Sequence, residues 1–305
     1  MSHHVRHSRI PVEFAVPEIT PRETVTTLQA ATGTSHFVEA NGIKLHYLDY
    51  GTAGRRPMLC VHGGSAHAHW YDFVAPGFTA DHHVLSLDLR GHGNSAWADP
   101  HTYSWKTYAA DINAFVEKLD LRDFVLIGHS MGGMVSLVYA ATHPGRLAQL
   151  VIVDSIMLMP ANRVSKMNEF GAKPVRSYAT QEELVARYRL EPADTQMAAA
   201  EVIQRMALHA GRQDAHGRWQ HKADRRVYSN FRQIAGIPLW EKIKVPALAI
   251  RGERSTRFTP EVLAEVRALA PQVQMAEVPA SDHHITLDNP QRFVEVVRKF
   301  LIERG

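Results

Sequence analysis

Four short apolar runs between residues 57 and 155 limit the folds that are open to this chain. The runs, which are rich in β-branched residues, are PMLCVHG, HHVLSLDLRG, DFVLIGHS and LAQLVIVDS. Strands that are buried on both faces have this appearance, and the segments between the runs are long enough for helices, so the pattern predicts a mostly parallel sheet. Within residues 105–119, apolar side chains recur at helical spacing, as expected of a crossover helix. We therefore predict an α/β fold with helices on both faces of the sheet.

The rest of the chain divides around this alternation. Residues 1–34 contain three prolines and no periodic pattern, which predicts an extended N-terminal arm. Two strand-like runs then meet at Asn41-Gly42, a dipeptide that favours a tight hairpin turn. The alternation stops in residues 157–244, which have mostly helical character and predict a helical cap inserted after strand six. The core is accordingly assigned to residues 35–156 and 245–305.

Composition and charge argue against several classes of partner. The chain has 34 Lys and Arg against 31 Asp and Glu, and the basic residues are dispersed, so no nucleic-acid partner is predicted. No window approaches the roughly 18 consecutive apolar residues of a membrane span, and the first residues lack the apolar core of a signal peptide. We expect a cytoplasmic protein without membrane contact. The single cysteine, Cys60, lies in an apolar run and is predicted to be a buried thiol.

The segment Gly128-His129-Ser130-Met131-Gly132 carries the strongest functional signal. It follows the run DFVLI directly and precedes an apolar stretch of helical character. A G-x-S-x-G segment at such a junction predicts a sharp strand-to-helix turn that exposes the serine hydroxyl. The amide of Met131 then lies at a helix N-terminus, where unpaired donors and the helix dipole favour negative charge. We predict that Ser130 is a nucleophile and that the Met131 amide binds an oxyanion.

Four motifs occur together in an order that resembles the α/β-hydrolase superfamily. They are VHGG at residues 61–64, DLRGHGNS at 88–95, GHSMGG at 128–133 and DHHITLDNP at 282–290. The resemblance extends from about His36 to the end of the chain, except for the cap. It implies that the Gly64 amide is the second oxyanion donor, that His62 is structural, and that no cofactor is needed.

The resemblance also selects the general base from two adjacent histidines. In related hydrolases the catalytic histidine stands seven residues before the proline that opens the last helix, which gives His283 before Pro290. His284 then becomes a residue of the substrate pocket. A shift of one residue in this alignment would exchange the two.

The position of the acidic residue that would orient the catalytic histidine departs from the commonest pattern of the superfamily. No carboxylate stands three or four residues after Gly252, where Ser255 and Thr256 are found. Haloalkane dehalogenases instead use the end of strand six, and Asp154 stands there, 24 residues after Ser130. We therefore predict a triad of Ser130, His283 and Asp154. Asp154 could instead have a structural role and stabilise the loop that leads into the helical cap. The acid of the triad would then be Glu253 or Asp282.

A serine nucleophile predicts acyl transfer rather than the alkyl-ester chemistry of an aspartate nucleophile. We predict hydrolysis of a small or medium carboxylic ester in an apolar pocket. An amidase or acyltransferase would use the same residues, and a slow or silent ligand receptor could share the fold. Oligomeric state is not encoded in any recognisable pattern.

The residues that line the pocket are predicted from their place in the chain. Those after the oxyanion loop and at the start of the cap are His67, Trp70 and Met157, to which His284 is added. His67 and His69 form an H-x-H pair, but no Asp or His at matching spacing completes a metal site. No metal is predicted.

Overall fold

The computed structural model describes residues 29–193 and 197–304. The strands are β1 (Thr34–Ala40), β2 (Ile43–Asp49), β3 (Arg56–Val61), β4 (His82–Asp88), β5 (Phe124–His129), β6 (Leu147–Val153), β7 (Ser177–Tyr178), β8 (Gly211–Gln213), β9 (Trp219–His221), β10 (Ala247–Gly252) and β11 (Gln274–Val278). The α-helices are α1 (Trp105–Lys118), α2 (Met131–Thr142), α3 (Ala161–Ala172), α4 (Gln181–Arg187), α5 (Ala200–His209), α6 (Pro260–Leu269), α7 (Ile285–Asp288) and α8 (Pro290–Glu303).

Among the described residues, eight strands form the main sheet in the order β1-β2-β4-β3-β5-β6-β10-β11. The first three are joined antiparallel, beginning with a hairpin whose turn residues Asn41 and Gly42 have φ angles of 50° and 69°. All other neighbours are parallel. The predicted mostly parallel α/β sheet is thus confirmed. Because β3, β5, β6 and β10 are neighbours, the loops that follow them meet at one edge of the sheet.

Two apolar clusters cover the two faces of the sheet. Side chains alternate along β5, so that Leu126 faces the cluster that contains α1 and α2, whereas Val125 and Ile127 face the cluster that contains α8. Cys60 is buried in the second cluster, as predicted. Burial on both faces explains why the central strands read as continuous apolar runs.

The segment between β6 and β10 carries helices α3, α4 and α5 and also a three-stranded antiparallel sheet in the order β7-β9-β8. The sequence did not predict this small sheet, because strands of two or three residues are too short to show an alternating pattern. The limits of the cap at residues 157 and 244 stay a prediction.

Most of the predicted N-terminal arm, residues 1–28, lies outside the described residues, and β1 already begins at Thr34. No helix in the described ranges combines the length and the apolar content that crossing a membrane requires.

Candidate active site

Ser130 occupies a sharp turn between β5 and α2, with φ and ψ angles of 53° and −118°. Its amide donates a hydrogen bond to the carbonyl oxygen of Val153 at 2.8 Å, which ties the turn to β6. A Cβ on Gly128 would lie 2.5 Å from the Gly132 carbonyl oxygen, and a Cβ on Gly132 would lie 2.3 Å from that of His62. Only glycine fits at either position, so both glycines are needed to form the turn.

The three residues of the predicted triad lie together at the edge of the sheet. Nε2 of His283 is 2.9 Å from Oγ of Ser130, and Nδ1 of His283 is 2.6 Å from Oδ2 of Asp154. A carboxylate only accepts hydrogen bonds, so Nδ1 carries the proton and Nε2 is left to accept the hydrogen bond of the serine hydroxyl. This is the tautomer that a general base requires.

Asp154 lies at the carboxyl end of β6, fully buried, with a φ angle of 43°. Its amide donates to the carbonyl oxygen of Ile250 on the neighbouring strand at 2.8 Å. The hydroxyl of Ser255 donates to Oδ2 of Asp154 at 2.6 Å. Burial raises the pKa of Asp154 to about 6, and the Ser255 hydrogen bond opposes this rise by stabilising the ionised form.

The two alternative acids have other contacts. The carboxylate of Glu253 accepts a hydrogen bond from the amide of Ala280 at 2.8 Å. Asp282 precedes His283 in the chain, and its amide donates to the carboxylate of Asp288 at 3.0 Å. Ser255, one of the neutral residues found where an acid is more common, supports Asp154 instead of contacting the imidazole.

The two adjacent histidines have different surroundings. His284 is fully buried, its Nε2 lies 3.2 Å from the carbonyl oxygen of Pro192, and its ring meets that of Trp70 at a centroid distance of 5.9 Å. His283 alone of the two lies against Ser130. Burial, reinforced by the positive charges of Arg257 and Arg163, holds the pKa of His283 well below 6.5. The imidazole is therefore neutral at pH 7.

The two predicted oxyanion donors line the same cavity as Ser130. The Met131 amide lies at the first residue of α2, and Gly64 follows β3 in the adjacent loop. His62 supports this loop, since its Nδ1 lies 2.7 Å from the Gly63 carbonyl oxygen and its Nε2 accepts the Leu89 amide at 3.1 Å. Within the described part of the chain, no protein acceptor binds the Gly64 or Met131 amide.

Tyr228 is a site residue that the sequence did not reveal. Its hydroxyl is 3.0 Å from Oγ of Ser65, and a Cβ on Gly64 would lie only 2.3 Å from that same hydroxyl oxygen. The tyrosine comes from the segment between β6 and β10, where its place in the chain gave no hint of contact with the oxyanion loop.

The cavity beside Ser130 has a volume of about 370 Å³, which suits a small or medium ligand. Its apolar lining residues are Met131, Met134, Ile156, Met159, Met167, Phe170, Tyr228, Trp105 and Phe231. Its charged lining residues are Arg163, Lys166, Arg257 and Glu191. The expected apolar wall is present, but the charged groups were not predicted.

The four predicted pocket residues are not among those that line this cavity, and a role for them in substrate binding stays a prediction. Trp70 is buried in a short 3₁₀ helix. His67 lines a neighbouring cavity, and its Nε2 donates a hydrogen bond to the Met206 carbonyl oxygen at 3.1 Å. Met157 is buried against Trp240, and His284 is buried beneath the site.

His69, Asp72 and His209 form a cluster that could hold a metal, and none of the three lines the cavity beside Ser130. The rings of His69 and His209 stack at a centroid distance of 3.5 Å. However, Nη2 of Arg205 is 2.6 Å from Oδ2 of Asp72, so a cation already compensates this carboxylate. We assign no metal to the cluster, because the guanidinium would repel one.

Comparison with known proteins places these observations among hydrolases. A family model described as alpha/beta hydrolase fold matches residues 56–290. The chain is 30% identical over 271 residues to N-formylmaleamate deformylase of Pseudomonas putida, covering 87% of this chain and 95% of that protein. It is 30% identical over 225 residues to sn-1-specific diacylglycerol lipase ABHD11 of Mus musculus, covering 72% and 71%. The crystal structure of E-2-(acetamidomethylene)succinate hydrolase has the same fold, with a TM-score of 0.79, 20% identity, and coverage of 88% and 99%.

Proposed function

This chain belongs to the α/β-hydrolase family, and from that premise we propose that it is a serine hydrolase that cleaves a small or medium carboxylic ester through an acyl-enzyme intermediate. The observation that carries the proposal is the continuous hydrogen-bonded path from Ser130 through His283 to Asp154. A nucleophile, a base and a group that orients the base are the elements that acyl transfer requires.

In the proposed mechanism, Oγ of Ser130 attacks the ester carbonyl carbon while Nε2 of His283 takes the hydroxyl proton. The carbonyl oxygen becomes an oxyanion that the amides of Gly64 and Met131 stabilise. The tetrahedral intermediate collapses, the bond to the leaving oxygen breaks, and His283 protonates the departing alcohol. Water then attacks the carbonyl carbon of the acyl group while Nε2 of His283 takes a proton from that water. The second tetrahedral intermediate collapses, the bond to Oγ of Ser130 breaks, and His283 returns the proton to Oγ as the acid product leaves. Asp154 holds the imidazole in its tautomer and stabilises the imidazolium.

Amide hydrolysis is a second candidate, and one comparison favours it. The Pseudomonas putida relative is named as a deformylase of N-formylmaleamate, and it aligns over most of both chains. An amidase would use the same residues but must protonate a poorer leaving group, so it depends more on His283 acting as an acid. An acyltransferase would differ in the acceptor that deacylates Ser130.

A panel of 4-nitrophenyl esters from acetate to octanoate, with the matching 4-nitroanilides, tests the proposal. We expect ester turnover with a maximum at short or medium chain length, because the cavity is about 370 Å³. Intact mass after a rapid quench should show one acyl group on the protein. Anilide turnover that exceeds ester turnover would support the amidase, and faster product formation with added alcohols would support the acyltransferase. Ester and anilide rates that both equal the uncatalysed rates, without a covalent adduct, would refute all three enzymatic activities and favour a receptor.

The lowered pKa of His283 predicts how ester hydrolysis depends on pH. The groups that face this imidazole are Asp154, His129, His284, Arg163 and Arg257. Only the neutral imidazole accepts the serine proton, so activity is lost as pH falls through the pKa of His283, which lies below 6.5. We expect the acid limb of kcat/KM for a neutral ester to have its midpoint below pH 6.5. A midpoint at or above this value would mean that the Asp154 carboxylate outweighs burial and the two guanidinium groups.

A further inference from the structure

The hydroxyl of Tyr228 lies against the loop that carries one of the two proposed oxyanion donors. A Cβ on Gly64 would lie 2.3 Å from this hydroxyl oxygen, and Oγ of Ser65 is 3.0 Å from it. One residue earlier in the same loop, a Cβ on Gly63 would lie 3.1 Å from the Cβ of Ser130. The loop therefore approaches the nucleophile at one residue and the tyrosine at the next. The nucleophile, the donor glycine and the two hydroxyl-bearing side chains all line one cavity.

The hydroxyls of Ser65 and Tyr228 carry two protons but share one hydrogen bond. Among the described residues, each of these hydroxyls has the other as its only hydrogen-bond partner. One proton is used in the bond between them, so the second has no acceptor within the described part of the chain. The pair therefore offers one O–H donor to a ligand in the cavity.

The chemistry of the two hydroxyls decides which of them donates to the ligand. A phenol is more acidic than an alkyl alcohol and is therefore the stronger donor to a charged oxygen. When Ser65 donates to the phenol oxygen, it also polarises the O–H bond of Tyr228 and strengthens that donor further. Burial raises the pKa of Tyr228 to about 12, so the phenol keeps its proton at neutral pH. The arrangement thus favours Tyr228 as the donor and Ser65 as its support.

The tyrosine is held in place by the residues around its short 3₁₀ helix, Arg225–Tyr228. The preceding residue, Asp224, is fully buried, and its amide donates to the carbonyl oxygen of Gly91 at 2.7 Å. The hydroxyl of Tyr103 donates to Oδ2 of Asp224 at 2.7 Å. The tyrosine ring also packs against that of Phe170 at a centroid distance of 5.8 Å. A donor fixed in this way needs little reorganisation when charge develops beside it, as oxyanion stabilisation requires.

We propose that the Tyr228 hydroxyl is a third oxyanion donor, which binds the substrate carbonyl oxygen together with the amides of Gly64 and Met131. Ser65 orients and polarises this hydroxyl. The inference rests on the proposed function and adds a catalytic residue to it. The phenol keeps its proton throughout, and His283 alone carries the proton between the serine and the leaving group. Because a hydrogen bond to a charged oxygen is stronger than one to a neutral carbonyl, the tyrosine stabilises the tetrahedral intermediate more than the bound ester.

Tyr228→Phe in the full-length protein tests the proposal, because it removes one hydroxyl and keeps the ring. We expect kcat on the best ester of the panel to fall about a hundredfold, as for the loss of one oxyanion donor. KM should change little, since the interaction develops mainly in the transition state. The affinity for a trifluoromethyl ketone, which forms an anionic hemiketal with the serine, should fall by a similar factor. An unchanged kcat would overturn the proposal.

Tyr139→Phe is the matched control. Tyr139 is also a buried tyrosine, but it lies on α2 and does not line the cavity beside Ser130. Its variant should keep both the turnover and the inhibitor affinity of the unmodified protein. A loss equal to that of Tyr228→Phe would mean that removing any buried phenol hydroxyl harms the enzyme, and the proposal would fall.

Ser65→Ala distinguishes donation to the substrate from support of the loop alone. Both Ser65→Ala and Tyr228→Phe break the one hydrogen bond between these side chains. If that bond only held the loop, the two variants would lose activity equally, and this result would overturn the proposal. If the phenol donates to the oxyanion, Ser65→Ala keeps the donor and should lose about tenfold or less, as for one neutral hydrogen bond. Absence of ester turnover by the unmodified protein would refute the proposed function, and with it this role of Tyr228.

Discussion

Replacement of Ser130 by alanine should lower kcat for ester hydrolysis by about four orders of magnitude or more, the scale seen when the nucleophile of a serine hydrolase is removed. The reason is that no other hydroxyl in the described site is hydrogen-bonded to Nε2 of His283. The variant should also lose covalent labelling by a fluorophosphonate. Both losses can be measured on one preparation, by steady-state kinetics and by intact mass.

The matched control is Ser136→Ala. Ser136 lies on α2, six residues after Ser130, and is fully buried within the helix. It has no hydrogen bond to His283, whose Nε2 bonds with Ser130. We expect it to keep both labelling and turnover. Labelling that persists in Ser130→Ala would identify another residue as the nucleophile, provided that circular dichroism and the thermal midpoint show an intact fold.

The features that could be predicted from the sequence are those that depend on local pattern. The G-x-S-x-G segment fixes its own turn, because Gly128 and Gly132 are required by contacts with the adjacent backbone. The parallel sheet could be predicted because strands buried on both faces must be apolar throughout. His283 could be separated from His284 only through the resemblance to a family, since composition and periodicity treat the two alike.

The features that could not be predicted depend on distant segments meeting in space. Tyr228 reaches Ser65 across 163 positions of sequence, and Ser255 reaches Asp154 across 101. The charge of the cavity combines Arg163 and Arg257, which are also far apart in the chain. The pocket residues chosen for their nearness to a motif do not line the cavity beside Ser130, because nearness in sequence does not decide which side chains meet in space.

Replacement of Asp154 by asparagine should reduce kcat by about four orders of magnitude while Ser130 stays in place, because the imidazole is then held in the wrong tautomer. The geometry makes this loss hard to avoid. Oδ2 of Asp154 accepts hydrogen bonds from both Nδ1 of His283 and the hydroxyl of Ser255. An asparagine NH₂ group placed at the position of Oδ2 would face the N–H of His283, and an asparagine oxygen placed there would accept a proton from Nδ1 but could not stabilise the imidazolium by charge.

The control for this variant is Glu253→Gln, which removes a carboxylate that stands close in sequence but accepts from the Ala280 amide instead of the imidazole. We expect Glu253→Gln to keep most of its activity and Asp154→Asn to lose nearly all of it, as measured by kcat on the best ester of the panel. The reverse result would assign the orienting role to Glu253 and reduce Asp154 to a structural residue at the end of β6. If neither variant loses activity, the remaining carboxylate that could orient the His283 imidazole is that of Asp282, the preceding residue in the chain, after a rearrangement of the loop.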